Sequence, residues 1–475
     1  MKNKIYNSTL LILLVSLISA CAPKVSEKSV NSTVPETYKA SKDSANSAQV
    51  PWKVFYTDPY LANLIDTALK NNQELNIFMQ EMAVARNEVS AKKGAYLPNL
   101  GIGVGAGADK VGEYTRFGAL EANHDVKAGT PFPEPMTDFQ AGAFASWEVD
   151  IWKKLRNAKK ASMSRYLATV EGKNLMITNL VDEIANAYYE LLAQDKMLAI
   201  VEQYISIQSQ ALEIVILQKQ SAKTTELAVK RFEAQLAGTK SLKFKIKQTI
   251  IETENELNFL LGRFPQKITR TSQDFSDISS GDIEAGIPSQ LLQNRPDIRQ
   301  SELEIQARKL DIKSARANFY PSLNLKAGLG LSSFGLQYLV DAPASIAYNA
   351  AGELIAPLLN RKAIKAVYYN ASAKQVQSVY MYEKTVLNAH YEVINLLSKL
   401  ENLNSSYVLI EEQVEALKRA VDVSNKLFRS ARADYMEVLL TQRDALESRF
   451  DLVETKQAQL HAKVNVYRAL GGGWK

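Results

Sequence analysis

The stretch Lys313-Ser-Ala-Arg-Ala-Asn-Phe-Tyr320 runs directly into Pro321-Ser-Leu-Asn-Leu-Lys-Ala-Gly-Leu-Gly-Leu331, and the spacing of the apolar residues changes at the proline. Before Tyr320 the apolar and small residues recur at helical spacing, whereas after Pro321 they alternate with polar residues and glycines. Proline cannot continue a helix, and it disfavours helical geometry in the residue before it. The stretch therefore predicts a helix that ends at Tyr320 and a strand that follows at once.

The same junction occurs earlier, at Ala95-Tyr-Leu-Pro98, where the following residues again alternate with glycines. The helical segments repeat as well, since Gly262 and Gly471 lie 209 positions apart and Ile177 and Val386 have the same separation. Self-similarity at a fixed spacing is the signature of an internally repeated fold. The chain is therefore predicted to contain two copies of a strand, strand and helical-hairpin unit.

Each copy contributes two strands in which apolar residues alternate with small or polar ones. In the second strand Ala143 and Trp147 fall on one face, while Gln140, Glu148 and Asp150 fall on the other. Strands of about 10 residues cross a membrane when they are tilted, and barrel strands place apolar residues toward lipid and polar ones toward the lumen. The pattern predicts membrane strands, with Glu148 and Asp150 directed into a lumen.

Between the strand pairs, apolar residues recur at every seventh position, which is typical of coiled-coil packing. A helix from residue 153 to about residue 220 would be about 100 Å long at 1.5 Å per residue. The helices are too polar to cross a membrane, so we expect them to project into water. A further helix is predicted as one continuous element from about Tyr60 to Gly94. The two longest ladders are Val170, Ile177, Ile184, Leu191, Leu198, Ile205 and Leu212, and Val379, Val386, Val393, Leu400, Tyr407, Val414, Val421 and Phe428.

The N-terminal residues have the pattern of a secretory signal peptide, with lysines, an apolar core and small residues before Cys21. Its apolar run of about 13 residues is too short to span a bilayer, which needs ~20. The sequence Ile18-Ser-Ala-Cys21 resembles the bacterial lipoprotein cleavage box, in which the cysteine becomes the lipidated first residue. Residues 22–50 are polar and predict a disordered or draped tether.

These signals give a predicted organisation for the whole chain. Polar turns and glycines mark the ends of the hairpins, and a segment of mixed character separates the two copies. The predicted segments are a signal peptide at 1–20, a lipid anchor and tether at 21–58, a first repeat at 59–262 (strands at about 99–108 and 139–151, hairpin 153–262), a linker at 263–289, and a second repeat at 290–475 (strands at about 322–331 and 345–356, hairpin 361–470).

Composition and motifs argue against several functions. The formal net charge of +6 comes from scattered basic residues, which does not favour nucleic-acid binding. His124, His390 and His461 have no ligand spacing, and the sequence contains no zinc motif, phosphate loop or nucleophile elbow. Arg295-Pro-Asp297 is interpreted as a helix start, because proline and an acidic residue both favour the first turn. We therefore predict no catalytic site, no metal site and no cofactor.

Four strands in one chain predict an oligomer. Open strand edges cannot face lipid, because each unpaired backbone group there costs several kcal/mol. Two copies would give eight strands, which side chains nearly fill, whereas three copies would give a twelve-stranded barrel with a lumen. An oligomer is therefore expected, and three copies rather than two would leave an open lumen.

Three passages resemble the TolC-like outer-membrane efflux channel family, and in particular its lipoprotein branch that serves resistance-nodulation-division pumps. They are Ala145-Ser-Trp-Glu-Val-Asp-Ile-Trp-Lys-Lys-Leu-Arg-Asn157, Asn294-Arg-Pro-Asp-Ile298 with the following helix to Pro321, and Ala469-Leu-Gly-Gly-Gly-Trp474. The resemblance covers roughly residues 50–475. It implies a mainly α protein with membrane β structure, namely a trimeric twelve-stranded β-barrel continued by a twelve-helix coiled-coil α-barrel, with the linker and the segment after the signal peptide in a belt around the tunnel.

The resemblance also implies a function and partners. The chain would be the outer-membrane component of a tripartite efflux pump, a passive conduit for drugs or metal ions that works with a periplasmic adaptor and an inner-membrane pump. It would be held in outer-membrane lipid by Cys21 and extend far into the periplasm. Two alternatives remain at this point: a lipid-anchored periplasmic coiled-coil adaptor without a pore, and a channel for type I protein secretion.

In this family the hairpin tips close the periplasmic mouth, often with an acidic ring. The tips here are residues 218–227 and 428–438, and they offer five gate candidates: Asp434, Glu437, Arg432, Thr225 and Glu226. Asp434 is equally explained as a helix N-cap. Where the family usually has glycine at the tips, this chain has Ala222 and Ala431.

Aromatic residues flank the two helix-to-strand junctions. Tyr96 and Tyr320 precede the prolines, and Trp147 and Trp152 lie at the end of the second strand. Barrels carry girdles of aromatic residues at the membrane surface. We therefore predict that these four residues mark the membrane interface.

Overall fold

The computed structural model describes residues 23, 25–38, 44–271, 273–278, 283–357, 361–430 and 432–475. Cys21 and the signal peptide lie outside the described residues, as does Ala431. The chain forms two compact units. The strand unit comprises Met1–Ser29, Val84–Tyr166 and Leu303–Val379, and the helical unit comprises Val30–Ala83, Leu167–Glu302 and Tyr380–Lys475.

The elements follow the predicted duplication. The strands are β1 (Asn99–Asp109), β2 (Asp125–Lys127), β3 (Thr130–Pro131), β4 (Met136–Val149), β5 (Ser322–Ser333) and β6 (Ile346–Ile355). The helices are α1 (Trp52–Phe55), α2 (Pro59–Asn71), α3 (Gln73–Tyr96), α4 (Arg116–Asn123), α5 (Lys154–Gln220), α6 (Glu226–Leu260), α7 (Leu291–Asn294), α8 (Pro296–Ala317), α9 (Leu336–Leu339), α10 (Lys362–Arg429) and α11 (Tyr435–Ala469).

In the strand unit, four strands form one antiparallel sheet in the order β1-β4-β5-β6. Ile102 lies opposite Ala143, Ala143 opposite Leu329, and Leu329 opposite Tyr348, so one apolar row crosses all four strands. Ile102 is 91% exposed and Tyr348 is 84% exposed, and contact of such a large apolar surface with water is unfavourable. The opposite face carries glycines and polar residues, with Lys326 and Glu353 3.6 Å apart. This apolar sheet face is the surface predicted to meet lipid.

The junctions and strands match the sequence prediction closely, but the second strand does not extend to residue 151. It begins earlier, at Met136, and ends at Val149. The carboxylate of Asp150 instead accepts hydrogen bonds from the backbone N–H groups of Leu155 (3.0 Å) and Arg156 (2.9 Å), at the start of α5. The predicted luminal position of Asp150 is therefore wrong, because capping the orphan donors of a long helix takes precedence over strand alternation.

The long polar connection within the first repeat is more structured than predicted. It contains α4 and the two-stranded β2–β3 hairpin. The Thr115 hydroxyl caps α4 by accepting a hydrogen bond from the N–H of Gly118 (3.2 Å). The shorter connection in the second repeat contains α9.

The helix predicted from Tyr60 to Gly94 is interrupted at Asn72. This residue leaves helical geometry, with φ −59° and ψ 128°. Its side-chain amide donates to the carbonyl of Leu260 (2.9 Å), and its side-chain oxygen accepts from the N–H of Leu75 (2.9 Å). Asn72 thus caps α3 and at the same time donates a hydrogen bond to a carbonyl at the end of α6. These two contacts explain why the predicted helix is interrupted at this residue.

The helical unit has a continuous apolar core, in which Ile184, Leu191, Leu257 and Leu460 are fully buried or nearly so. Ile184 and Leu191 belong to the predicted seven-residue ladder of α5. The core therefore forms where the heptad pattern places it. Among the described residues, no helix is both long enough and apolar enough to cross a membrane.

Both helical hairpins end in the same way. Gly262 has φ +66°, and its N–H donates to the carbonyl of Phe259; Gly471 has φ +93°, and its N–H donates to the carbonyl of Arg468. A Cβ atom on Gly262 would lie 2.3 Å from the carbonyl oxygen of Asn71. Glycine is required here by backbone geometry and by space, and the predicted 209-residue register is confirmed at this turn.

The N-terminal tether lies along the helices over its described part. The N–H of Lys28 donates to the side-chain oxygen of Gln375 (3.1 Å) in the strand unit. In the helical unit, the N–H of Ser47 donates to the carbonyl of Glu284 in the linker (2.9 Å). Another linker residue, Arg270, binds Asp195 (2.5 and 2.8 Å). The described part of the tether is therefore in contact with the rest of the chain, and it meets the linker at Ser47.

Candidate membrane boundary and channel mouth

The four predicted interface aromatics come together in two pairs at the strand ends. The Trp147 indole N–H donates to the carbonyl oxygen of Tyr96 (3.1 Å). The Trp152 indole N–H donates to the carbonyl oxygen of Pro321 (2.8 Å), and its ring stacks on Tyr320 with ring centroids 4.7 Å apart. Each pair satisfies a backbone carbonyl at a proline junction, where the regular hydrogen bonding of the helix stops. The pairs have the amphipathic character that membrane interfaces favour.

Charged residues next to these aromatics are paired on the polar side of the sheet. Glu148 forms a salt bridge with Lys154, and Asp150 binds the Arg156 guanidinium at 3.1 Å. The Asp150 side chain is only 1% exposed. These contacts fix the start of α5 to the end of β4, so they have a structural role.

Backbone hydrogen bonds within the chain form the turn at the tip between α5 and α6. The N–H of Ala222 donates to the carbonyl of Lys219 (2.9 Å), and the N–H of Lys223 donates to that of Gln218 (2.8 Å). This is the Schellman arrangement, and Ala222 takes its left-handed position with φ +56°. Glycine avoids the steric cost of that conformation, whereas alanine does not. Ala222 therefore holds, at some cost, a position that glycine would occupy without strain.

Thr225 and Glu226, two of the gate candidates, serve this same tip. The Thr225 hydroxyl caps α6 by accepting from the N–H of Ala228 (3.3 Å). Glu226 forms a salt bridge with Lys219 across the turn and a second one with Lys230 (3.7 Å). Both residues are exposed, and both already have partners within the chain.

The tip between α10 and α11 carries the other three candidates. Asp434 is the N-cap of α11, and its carboxylate accepts from the N–H of Met436 (3.3 Å). Glu437 lies in the first turn, and the N–H of Arg432 donates to the carbonyl of Leu427 (2.9 Å). All three side chains are exposed, and within the described part of the chain none forms a salt bridge. The capping interpretation of Asp434 is confirmed, while its carboxylate still presents a charge to solvent.

The two tips share one apolar cluster in the helical unit. It contains Val215, Phe232, Phe428 and Val438, and the rings of Phe232 and Phe428 lie 6.4 Å apart. The cluster holds the tips of both repeats together, so all five gate candidates surround a common support.

Sequence reasoning missed a buried charge network in the helical unit. Arg295, interpreted above only as part of a helix start, forms a two-pronged contact with Asp297 (3.0 and 2.8 Å) and also binds Glu392 (2.9 Å) and the carbonyl of Ala469 (2.7 Å). Its side chain is 9% exposed. Asp297 lies in the first turn of α8, as predicted. Pairing with residues far along the chain gives no local pattern from which it could have been predicted.

The same network continues through Arg468, which binds Glu392 (2.6 Å) and Asp182 (3.4 Å). Burial raises the pKa of Asp182 to about 6, and the Arg468 guanidinium opposes part of that rise.

His461 binds the carbonyl of Asn186 at 3.0 Å. Among the described residues, no group of three or more histidine, cysteine, aspartate or glutamate side chains is arranged to hold a metal ion.

Comparison with known proteins gives a consistent result. A family model described as outer membrane efflux protein matches residues 64–263 and 287–472. The pyoverdine export outer membrane protein OpmQ of Pseudomonas aeruginosa is 26% identical over 462 residues, which cover 97% of this chain and 95% of that protein. The cation efflux system protein CusC of Escherichia coli is 26% identical over 447 residues, which cover 93% of each chain.

The fold agrees as well. A crystal structure of CusC superposes with a TM-score of 0.82 at 25% identity, covering 95% of this chain and 100% of that one. Because the matches span both repeats and the strands, the periplasmic adaptor alternative is wrong. The chain belongs to the outer membrane efflux protein family, and it is an outer-membrane efflux channel protein with the fold of the TolC-like channels.

Proposed function

We propose that three copies of the chain form a passive conduit across the outer membrane, and one observation carries this proposal. The sheet has two outer edges: β1 pairs only with β4, and β6 only with β5, within the described residues. Its apolar sheet face belongs in lipid, where an open edge costs several kcal/mol per unpaired group. Pairing β6 of one copy with β1 of the next closes the barrel, and twelve strands leave a lumen that eight would not.

In this proposal the hairpin tips form the periplasmic mouth. Asp434 and Glu437 are the principal gate residues, because their carboxylates are exposed and form no salt bridge in the described chain. Arg432 lies beside them and offers a cation to a neighbouring copy. Thr225 and Glu226 have a supporting role, since they already cap and brace their own tip. Charges without partners in one copy are available for contacts between copies.

The conduit would do no chemistry of its own. Cargo and energy would come from an inner-membrane pump through a periplasmic adaptor that engages the tips, and lipidated Cys21 would add an acyl anchor to the barrel. The relatives are named for cation efflux and for pyoverdine export. We propose small molecules or metal ions as cargo, with the pump selecting among them. A deletion strain tested against a panel of antibiotics and metals, with and without the restored gene, would identify the class.

The trimer is tested with the purified full-length protein. We expect a band of trimer size on denaturing gels that converts to monomer on boiling, and discrete conductance steps in planar bilayers. A protein that stays monomeric in detergent, or that never conducts, would exclude the conduit.

The gate is tested by replacing Asp434→Asn and Glu437→Gln together. Asparagine caps a helix as well as aspartate does, so α11 keeps its N-cap and only the charges are lost. We expect a higher resting conductance. The matched control is Asp451→Asn with Glu454→Gln, an exposed pair with the same spacing on the same helix. Equal conductance in the two variants would leave Asp434 with its capping role alone.

A further inference from the structure

A groove of about 650 Å³ lies in the strand unit, between the start of α5 and the end of α8. Its apolar wall includes the stacked rings of Trp152 and Tyr320, together with Pro321 and Leu354. Leu354 lies opposite Leu323 and belongs to the apolar sheet face, and it is 65% exposed. The groove therefore continues the lipid-facing surface past the ends of the strands.

Three cations border this groove: Lys153, Lys313 and Arg316. All three side chains are exposed, and within the described chain no carboxylate lies within salt-bridge distance of any of them. Lys313 and Arg316 are three residues apart on α8, so they share a face of the helix, where like charges repel. Lys153 adopts a left-handed backbone with φ +60°, which is uncommon for a residue with a side chain. The groove thus combines an apolar wall with a concentrated and uncompensated positive charge.

A second cavity nearby provides a comparison. It has a volume of about 350 Å³ and is lined by Glu148, Asp150, Lys154 and Ser322 among others, on the polar side of the sheet. There the cation is neutralised, because Lys154 pairs with Glu148. Of these two cavities, the larger one has no carboxylate of the described chain within salt-bridge distance of the cations that border it.

We propose that this groove binds one anionic glycerophospholipid of the membrane leaflet that faces the periplasm. The phosphate lies among Lys153, Lys313 and Arg316, and an acyl chain lies against Trp152 and Leu354. Basic residues at the end of a membrane segment attract anionic headgroups, and a groove between elements gives that attraction a defined position. The bound lipid supplies the counter-charge that α8 lacks.

The test uses the full-length protein, stripped of lipid and incubated with vesicles of phosphatidylcholine alone or of phosphatidylcholine mixed with phosphatidylglycerol. Lipids retained per protein are counted by native mass spectrometry. We expect selective retention of phosphatidylglycerol. The variant Lys153→Gln, Lys313→Gln and Arg316→Gln should lower that retention, by about fivefold for each charge removed.

The matched control is Lys362→Gln, Lys365→Gln and Lys374→Gln, three exposed cations on α10 in the same unit that form no salt bridge within the described residues. This control should retain phosphatidylglycerol, as should a variant with Lys153→Arg and Lys313→Arg, which keeps the charge. The proposal is overturned if the two glutamine variants lose lipid equally, if the wild type shows no headgroup preference, or if inorganic phosphate alone binds as tightly as the lipid. The heat-sensitive gel band identifies any variant that fails to assemble. If the glutamine variant of the groove fails to assemble, the proposal is tested instead by lipid retention in the arginine variant and by the binding of inorganic phosphate to the wild type.

Discussion

Replacing Arg295 by methionine should lower stability more than any exposed charge change in this chain. Arg295 contacts the carboxylates of Asp297 and Glu392 and the carbonyl of Ala469 through a side chain that is 9% exposed. Methionine fills a similar volume but leaves Asp297 without its cation and Glu392 with Arg468 alone. Breaking a buried pair by removing one partner costs about 3–5 kcal/mol, because the remaining charge stays buried and uncompensated.

That loss converts into a measurable change in melting temperature. A chain of 475 residues has an unfolding entropy of about 1 kcal/mol per K, at ~2.1 cal/mol/K per residue. We therefore expect Arg295→Met to lower the Tm of the purified protein in detergent by about 4 °C. The control is Arg443→Met, which removes a guanidinium from Asp444 at 2.9 Å where both side chains are about half exposed. Exposed pairs contribute at most about 1 kcal/mol, so this Tm should move by less than about 1 °C.

A double substitution distinguishes lost pairing from lost packing. If the cost of Arg295→Met comes from an unpaired carboxylate, then adding Asp297→Asn should restore part of the Tm, because Asp297 pairs with Arg295 and a neutral amide needs no cation. Fully additive losses in the double variant, or an Arg295→Met protein that melts with the wild type, would refute the assignment of Arg295 as a buried electrostatic centre.

Two further predictions concern the helical unit. Ala222→Gly should relieve roughly 1 kcal/mol of left-handed backbone strain, which would slow the hydrogen exchange of the Lys223 amide. The control, Ala237→Gly within α6, should instead speed local hydrogen exchange. An unchanged exchange rate at Lys223 would contradict the strain argument. Burial raises the pKa of Asp182 in the folded protein to about 6, above its ordinary value, so the contribution of this group to stability is fully present below the unfolded pKa and is lost as the pH rises through about 6. Asp182→Asn should therefore be more stable than the wild type at high pH, by up to about 3 kcal/mol. The Tm difference should grow from about pH 4 to about pH 6 and stay level above that; a difference that does not change over this range would argue against the raised pKa.

Much of the fold could be predicted because its signals are local. Proline fixes the two junctions, alternation fixes the strands, and glycine at residues 262 and 471 fixes the hairpin ends, each through the geometry of a few neighbouring residues. The break at Asn72 was missed for the opposite reason. An asparagine inside a helical pattern is not a strong stop signal, and the partner that requires the break, the carbonyl of Leu260, lies far along the sequence.

The candidate site divides in the same way. The aromatics were found because they flank prolines, and the tips because they separate heptad ladders. What the sequence could not show is which candidates are already used within the chain: Asp150 was predicted to be luminal and is a buried cap, and Glu226 pairs with Lys219. Such pairings depend on how side chains meet in three dimensions, which periodicity does not encode.

The two tips differ in how their charges are satisfied, and this difference separates their roles in the proposed mouth. Glu226 forms salt bridges with Lys219 and Lys230 of its own chain. Opening that tip therefore does not have to break a contact between Glu226 and another copy. Within the described residues the carboxylates of Asp434 and Glu437 form no salt bridge, and that of Asp434 accepts only from the backbone N–H of Met436, so in the proposed assembly their charges would interact with whatever lies beside them. A mouth that opens by separating copies must change the surroundings of the second tip more than those of the first. In the proposed mouth the duplicated hairpins would therefore share a fold but differ in role: the first tip would be a support, and the second would carry the charge that an adaptor or a neighbouring copy acts upon.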